Sequence, residues 1–462
     1  MHILAYMHNQ EFGQAPLMST KEFATRLGVH KDTVLRWLRE GRIPEPPRDS
    51  RGWRAFSAAD LKVARLLLAG NVSRGDGMES ERVARFHRID WDFQDAHTGA
   101  LTHDFHPYTA KFIPQIPNRL IQLFSDCGDT VLDPFCGSGT TLLEALLLGR
   151  NAIGLDANPI ACLISSAKTA RLSDDDVHAL DRLLQRLQSV DVAAGQPRLL
   201  RENGDTTRVP SGDDYDFWFT PQVVSELALL RGEIQSVEFA VARTAALACL
   251  SAIIVAVSKQ DSETRYTRRE KNIKPGDCIA RFSRVLQDYL HEAAKLRGAV
   301  EEGLDCRVIH TNVLDAPRLP GRVDAVVCSP PYPNAWSYHL YHRLRMLWLD
   351  MDEATFKREE IGSHRKYSRK NGADADTFLR EMTEVMGWLN ECLADDGYAC
   401  FVIGDSTIRG ERVRNDAILD RAASEAGFRK VACAQRNVKS TRKAFNPRIG
   451  SIADERILVY GR

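Results

Sequence analysis

Residues 130–156 read as one strand–turn–helix–strand unit, which commits a chain to a parallel sheet with helices packed on its faces. Thr130-Val131-Leu132-Asp133-Pro134-Phe135 is a short strand that runs into Cys136-Gly137-Ser138-Gly139-Thr140. A helix from Thr141 to Leu148 stops at Gly149, and a second strand, Asn151 to Leu155, ends on Asp156. Glycines in such a turn let the backbone approach a ligand closely, and an acid ending the second strand can accept two ribose hydroxyls. The spacing is G-x-G without the third glycine of the dinucleotide fingerprint, which disfavours a pyrophosphate cofactor. A G-x-G turn alone also serves as a plain tight connection.

The second constraint is Val323-Asp324-Ala325-Val326-Val327-Cys328, closed by Ser329-Pro330-Pro331-Tyr332. A Val-rich run cut short by two prolines reads as a buried parallel strand, because proline has no N–H to donate and holds φ fixed. A small hydroxyl, two prolines and an aromatic at the carboxyl end of a strand would hold a planar ring against acceptor groups. An ordinary strand-ending turn has the same local composition.

Together the two strings are more specific. Asp-Pro-Phe-Cys-Gly-Ser-Gly-Thr resembles the S-adenosylmethionine-binding motif of amino-group DNA methyltransferases, and Ser-Pro-Pro-Tyr resembles that family's catalytic tetrapeptide, in the order glycine loop first. The serine is similar to the branch acting on N4 of cytosine, whereas adenine-directed relatives usually begin the tetrapeptide with Asp or Asn. The resemblance implies that Asp133, Phe135, Gly137 and Gly139 line the methionine and ribose part of the cofactor and that Asp156 holds the ribose hydroxyls. Tyr108 and Lys111, in His106-Pro107-Tyr108-Thr109-Ala110-Lys111, look like a further cofactor-contact motif. Asp315, a short interval before Val323, fits the acid that meets the adenine amino group better than Asp205 does. An acid such as Asp133 suits a place near the cofactor's ammonium group, since opposite charges at close range attract.

The chemistry asked of the tetrapeptide is definite. A cytosine amino nitrogen is conjugated with its ring, so its lone pair is poorly available. Acceptance of the two amino hydrogens by Ser329 and the Pro330 carbonyl would raise its nucleophilicity; a serine Oγ is acceptor as well as donor. Pro331 stiffens the turn, and Tyr332 would stack on the base for roughly 1–3 kcal/mol. In a duplex the amino group is paired, so the base must be flipped out. Cys328 reads as a buried strand residue.

Ahead of this lies a different pattern. Residues 1–17 read as a frayed lead-in. Ser19-Thr20-Lys21-Glu22 is a capping box opening a helix to Leu27, Gly28-Val29-His30 turns the chain, and a second helix runs from Lys31 to Glu40. A wing through Arg51-Gly52-Trp53-Arg54 and a third helix from Ser57 follow. Residues 19–68 resemble the winged helix-turn-helix of MerR-type and excisionase-type DNA binders, which implies that Lys31, Thr33, Arg36, Arg51 and Arg54 face DNA. Trp37 and Trp53 read as core.

The expectation is therefore an α/β chain: a Rossmann-like class I methyltransferase sheet with a helical insertion and an N-terminal winged helix-turn-helix. The domains are expected at 1–70 (winged helix-turn-helix), 71–100 (polar linker), 101–170 (cofactor half), 171–300 (helical insertion, with a role in target recognition) and 301–462 (catalytic half). Lysine plus arginine equals aspartate plus glutamate, 62 each, so any DNA surface must be a local patch. Candidate patches are Arg265, Arg268, Arg269, Lys271 and Lys274 around Tyr266; Ser363 to Lys370 with Arg365 and Lys366; and Arg436, Lys439, Arg442, Lys443 and Arg448. Each run taken alone also reads as a solvated face. The ten cysteines form no C-x-x-C pair, which argues against a zinc site and fits a reducing cytoplasm. The apolar stretch 245–257 is too short to span a membrane. The expected function is cytosine-N4 methylation of double-stranded DNA from S-adenosylmethionine, with a restriction endonuclease as the companion such an enzyme implies. The alternatives are adenine-N6 methylation, methylation of a guanine amino group in RNA, and a DNA-binding regulator whose methyltransferase domain binds cofactor without turnover.

Overall fold

The computed structural model describes residues 18–27, 31, 34–35, 38, 46, 54–57, 60, 64, 76–94, 96–190, 209–369, 371–438 and 454–462. Two compact units divide the chain, Met1–Glu81 and Arg82–Arg462. Thr33, Arg36, Arg51, Trp37, Trp53 and the basic residues 439–448 lie outside the described residues.

In the first unit, helix α1 (Thr20–Leu27) starts on a reciprocal cap: the Glu22 N–H donates to Ser19 Oγ and the Ser19 N–H to the Glu22 carboxylate at 2.8 Å. Phe23 stacks on Phe56 with centroids 3.9 Å apart, and Met18 and Phe56 exchange backbone hydrogen bonds. Val34 and Ala64 complete this small core. Lys31 is exposed and Arg54 half-buried.

The second unit is built on a seven-stranded sheet: β1 (Thr130–Asp133), β2 (Asn151–Asp156), β3 (Cys306–His310), β4 (Val323–Cys328), β5 (Leu393–Gly404), β6 (Arg429–Asn437) and β7 (Asp454–Gly461). Their order across the sheet is 6-7-5-4-1-2-3, with β7 antiparallel to both neighbours and the other pairings parallel. This is a mixed α/β arrangement, a mostly parallel, doubly wound, Rossmann-like sheet with helices on both faces. Its central strands are rich in buried apolar side chains because both faces are covered. Val131, Val327, Cys400 and Val402 point to one layer, with helices α2 (Gln115–Phe124) and α3 (Thr140–Leu147). Their neighbours Leu132, Val326, Cys328, Phe401 and Ile403 point to the other, with the helices Ala375–Cys392 and Asn415–Glu425. Each such fully buried aliphatic side chain contributes about 1.5–3 kcal/mol.

Between β2 and β3 the chain builds a helical layer from α4 (Pro159–Thr169), α5 (Asp174–Gln188), α6 (Pro221–Gln235), α7 (Ala240–Val257) and α8 (Asp277–Ala299). Helix α7 is longer than the apolar run 245–257 suggested; by length and composition it could cross a membrane, yet 67% of it is buried inside the molecule as the core of this layer. Arg265 to Arg268, in the first of the candidate basic patches, is the outer strand of a hairpin with Gln260–Ser262. The stretch 71–100, read as a linker, holds a helix, Asp76–Phe86, and its Phe86 and Trp91 are 0% and 4% exposed in the sheet core. Their polar surroundings hid two anchoring aromatics.

Candidate active site

Strand order builds the site. β1 and β4 are neighbours, Val131 beside Ala325 and Leu132 beside Val326, so the glycine turn after β1 and the Ser329 turn after β4 emerge side by side at the carboxyl edge. β2 flanks β1 on its other side, which brings Asp156 there too. Ligands of open α/β sheets bind at such a switch point. A cavity of about 1020 Å³ opens at this place, and Tyr108, Lys111, Asp133, Phe135, Gly137, Asp156, Ser329, Pro330, Pro331 and Tyr332 all line it.

Two acids sit in its wall. Asp156 accepts the Gly137 N–H on one oxygen and the Asn158 N–H on the other, each at 2.8 Å. Burial pushes its carboxyl up to about 6 despite these bonds. Asp133, 3% exposed, accepts the Phe135 N–H at 3.0 Å, and burial pushes it up to about 7. Gly137 has φ +49°, and a Cβ there would reach the Tyr108 ring at 3.6 Å. Tyr108 stacks on His342 and Tyr338, centroids 5.1 and 5.9 Å away. Lys111 pairs with Asp104 at 2.5 Å, so its ammonium is already partnered.

At the other wall, Ser329 Oγ lies 3.3 Å from the Tyr332 hydroxyl, which donates towards Glu455 Oε1 at 2.9 Å and faces the Val402 carbonyl at 3.3 Å. Arg436 holds Glu455 at 2.6 Å and donates its Nε to the Trp91 carbonyl at 3.1 Å. Glu360, buried in the cavity wall, accepts the Tyr338 N–H and pairs with His339.

Several expected site residues stand elsewhere. Gly139 does not line the cavity: it caps α3 at φ +77°, and a Cβ would come within 2.7 Å of Ser165 Cβ and 2.9 Å of its Cα, so this glycine serves the packing of α4. Asp315 is exposed at the end of a short 3-10 turn, Val313–Asp315, and is not in the cavity wall; Asn312, whose side chain caps that turn, is. Lys366 is bound to Glu381 at 2.7 Å, while Arg365 beside it is exposed. Arg436, grouped by sequence with a basic DNA-facing run, is 7% exposed and does line the cavity, bonded to Glu455 and the Trp91 carbonyl. Glu455, Glu360 and Asn312 carried no local signal; Glu455 lies 123 residues from the tyrosine it holds.

Residues 43–167 match the sequence model of a family described as DNA methylase, and residues 19–56 match that of the MerR family of regulatory proteins. The chain is similar to the type II methyltransferase M.MvaI of Kocuria varians, 27% identical over 56% of this chain and 60% of that one. It is also similar to the type II methyltransferase M.MjaII of Methanocaldococcus jannaschii, 36% identical over 21% of this chain and 19% of that one. The chain thus spans less than two thirds of the curated relatives it matches. Among solved structures, an rRNA methyltransferase, aviRa of Streptomyces viridochromogenes, superposes with a TM-score of 0.33 at 13% identity over 84% of this chain and 94% of that one.

Proposed function

We propose that the protein methylates an exocyclic amino group in double-stranded DNA, with N4 of an extruded cytosine as the acceptor. The observation that carries this reading is the meeting of the Asp133–Asp156 wall and the Ser329–Tyr332 turn on one cavity. S-adenosylmethionine is the cofactor, and it supplies a methyl group activated by a positive sulfonium.

The wall beneath β1 and β2 suits it. Asp156 is turned to the cavity with both oxygens braced by backbone N–H groups, an acceptor pair for a vicinal diol. Asp133 offers negative charge to a cationic ligand, Gly137 keeps the floor free of a side chain, and Tyr108 and Phe135 supply flat apolar surface. At the facing wall, Ser329 Oγ and the Pro330 carbonyl are acceptors for the two hydrogens of an amino group. Their acceptance draws the nitrogen towards a pyramidal, nucleophilic geometry, while the proline pair keeps the turn from yielding. Holding the amino nitrogen and the methyl group in line supplies the rest of the advantage. The first unit, with its match to MerR-type regulators, is read as a second DNA-holding surface.

Incubation of the protein with DNA and isotopically labelled cofactor, followed by digestion and mass spectrometry of the nucleosides, tests this. N4-methylcytosine is expected. N6-methyladenine would overturn the choice of base that rests on Ser329, and no product on any DNA would favour the regulator.

A further inference from the structure

Ser329 is useful to an amino group only as an acceptor, and a free serine hydroxyl is equally able to point its hydrogen into the cavity and repel the incoming N–H. We infer that Glu455, acting through Tyr332, fixes the direction of the Ser329 hydroxyl and so makes Ser329 an obligate acceptor. This deepens the methyltransferase reading and rests on it.

Three observations combine. The Tyr332 hydroxyl has two acceptor-only neighbours, Glu455 Oε1 at 2.9 Å and the Val402 carbonyl at 3.3 Å. A phenol has one hydrogen, and the closer carboxylate oxygen takes it, so the phenolic oxygen can face Ser329 only with a lone pair. Ser329 Oγ, 3.3 Å away, then satisfies the contact by donating, and its remaining lone pairs are left for the cavity. The third observation is that the carboxylate is itself immobilised: Arg436 grips its other oxygen at 2.6 Å and anchors to the Trp91 carbonyl. The side chains of Arg436 and Glu455 are 9% and 15% exposed, so this pair sits in a poorly hydrated place where hydrogen-bond direction is costly to reverse. Tertiary structure brings the parts together: Glu455, second residue of β7, lies opposite Gly404 of β5, whose neighbour in the sheet is β4 with its Ser329 turn.

Glu455 lines the cavity, and the role inferred for it is that of a positioning residue, acting on the amino group through Tyr332 and Ser329. Tyr332→Phe removes the acceptor that holds the Ser329 hydrogen; Glu455→Gln allows an amide N–H to face the phenol and reverse the chain. Each is expected to slow single-turnover methyl transfer roughly tenfold, the size of one misdirected hydrogen bond. Cofactor affinity and duplex affinity are expected to stay as in the unaltered protein. The decisive measurement is a double-mutant cycle with Ser329→Ala: once the serine is gone, Tyr332→Phe has no further effect on rate. Should Ser329→Ala leave no measurable rate, Ser329→Asp serves as the background, since an ionised carboxylate is an acceptor whatever Tyr332 does. Effects that multiply in these backgrounds overturn the inference and leave the methyltransferase reading intact. No methyl transfer by the unaltered protein overturns both.

Discussion

Asp156 accepts the backbone N–H of Gly137 at 2.8 Å, so the acid ending β2 is held by the same glycine turn that leaves β1. The carboxylate therefore cannot move without the turn, and the two act as one rigid wall.

Burial raises Asp156 to about 6 and Asp133 to about 7, above the value an unfolded chain gives them. The folded protein keeps these protons where the unfolded chain has lost them. Stability is therefore fullest below about pH 4 as far as these two groups are concerned, and falls as pH rises through about 6–7. A cationic cofactor has the opposite preference, since it favours the ionised carboxylates. Its dissociation constant should drop as pH climbs to about 7, by about tenfold per unit wherever one proton must leave. Titration calorimetry in buffers of differing ionisation enthalpy reads both the constant and the released proton. A constant that does not change with pH would remove these acids from the cofactor site.

The two turn glycines should fail differently. Gly139→Ala places a methyl within 2.7 Å of Ser165 at positive φ, so a loss of roughly 1–3 kcal/mol of stability is expected from thermal or denaturant unfolding. Gly137→Ala meets the Tyr108 ring at an ordinary 3.6 Å and costs stability only through its φ of +49°, about 1–2 kcal/mol. Its larger effect should be on cofactor affinity, because the added methyl enters the cavity floor. Equal losses of affinity in the two variants, at matched stability, would contradict this division.

Asn312 and Asp315 offer a cleaner comparison. Asp315 is exposed and away from the cavity, so Asp315→Ala should leave the cofactor dissociation constant unchanged. Asn312 lines the cavity and its Oδ1 accepts the Leu314 N–H at 3.1 Å, so Asn312→Ala should weaken binding several-fold, at the usual scale of one missing hydrogen bond, about 0.5–1.5 kcal/mol. The reverse pattern would restore Asp315 to the site.

The hairpin of residues 260–268 is the strongest candidate for DNA contact in the second unit. Its outer strand, Arg265-Tyr266-Thr267-Arg268, is exposed along its whole length. Its turn is pinned by Glu263, which pairs with the fully buried Arg345 at 2.8 Å. Tyr266 stacks on Tyr341, which packs against Trp336 in the cavity wall, and Arg268 lies 5.2 Å over the exposed Phe217 ring. The arginines pair with Asp261 and Glu270, surface partners they can exchange for phosphates at little cost. Alanine at Arg265, Arg268 and Arg269 together should weaken duplex binding and lower the slope of log affinity against log salt by about 1 for each phosphate that is no longer neutralised. An unchanged slope would make this a merely solvated face.

How much of this could be read without coordinates depends on distance along the chain. The strand–turn–helix–strand unit from Thr130 to Asp156, the strands Cys306–His310 and Val323–Cys328, and the capped first helix all appear where local periodicity and turn chemistry set them. The same local logic marked Asp133, Asp156 and Ser329 to Tyr332, because glycines, prolines and terminal acids dictate backbone shape within a few residues. β6 was hidden because an edge strand such as Arg429–Asn437 is rich in polar side chains and lacks an apolar run.

Sequence alone thus determined the parallel sheet, the two turns at its carboxyl edge and the kinds of group they carry. Only the tertiary structure decided that Gly139 lies close against Ser165 of α4, that Asp315 is exposed and outside the cavity wall, and that Glu455 stands behind Tyr332. The physical reason is that each of these depends on which strands lie side by side, and that order is set by the burial of both sheet faces across hundreds of residues, not by any neighbour in the chain.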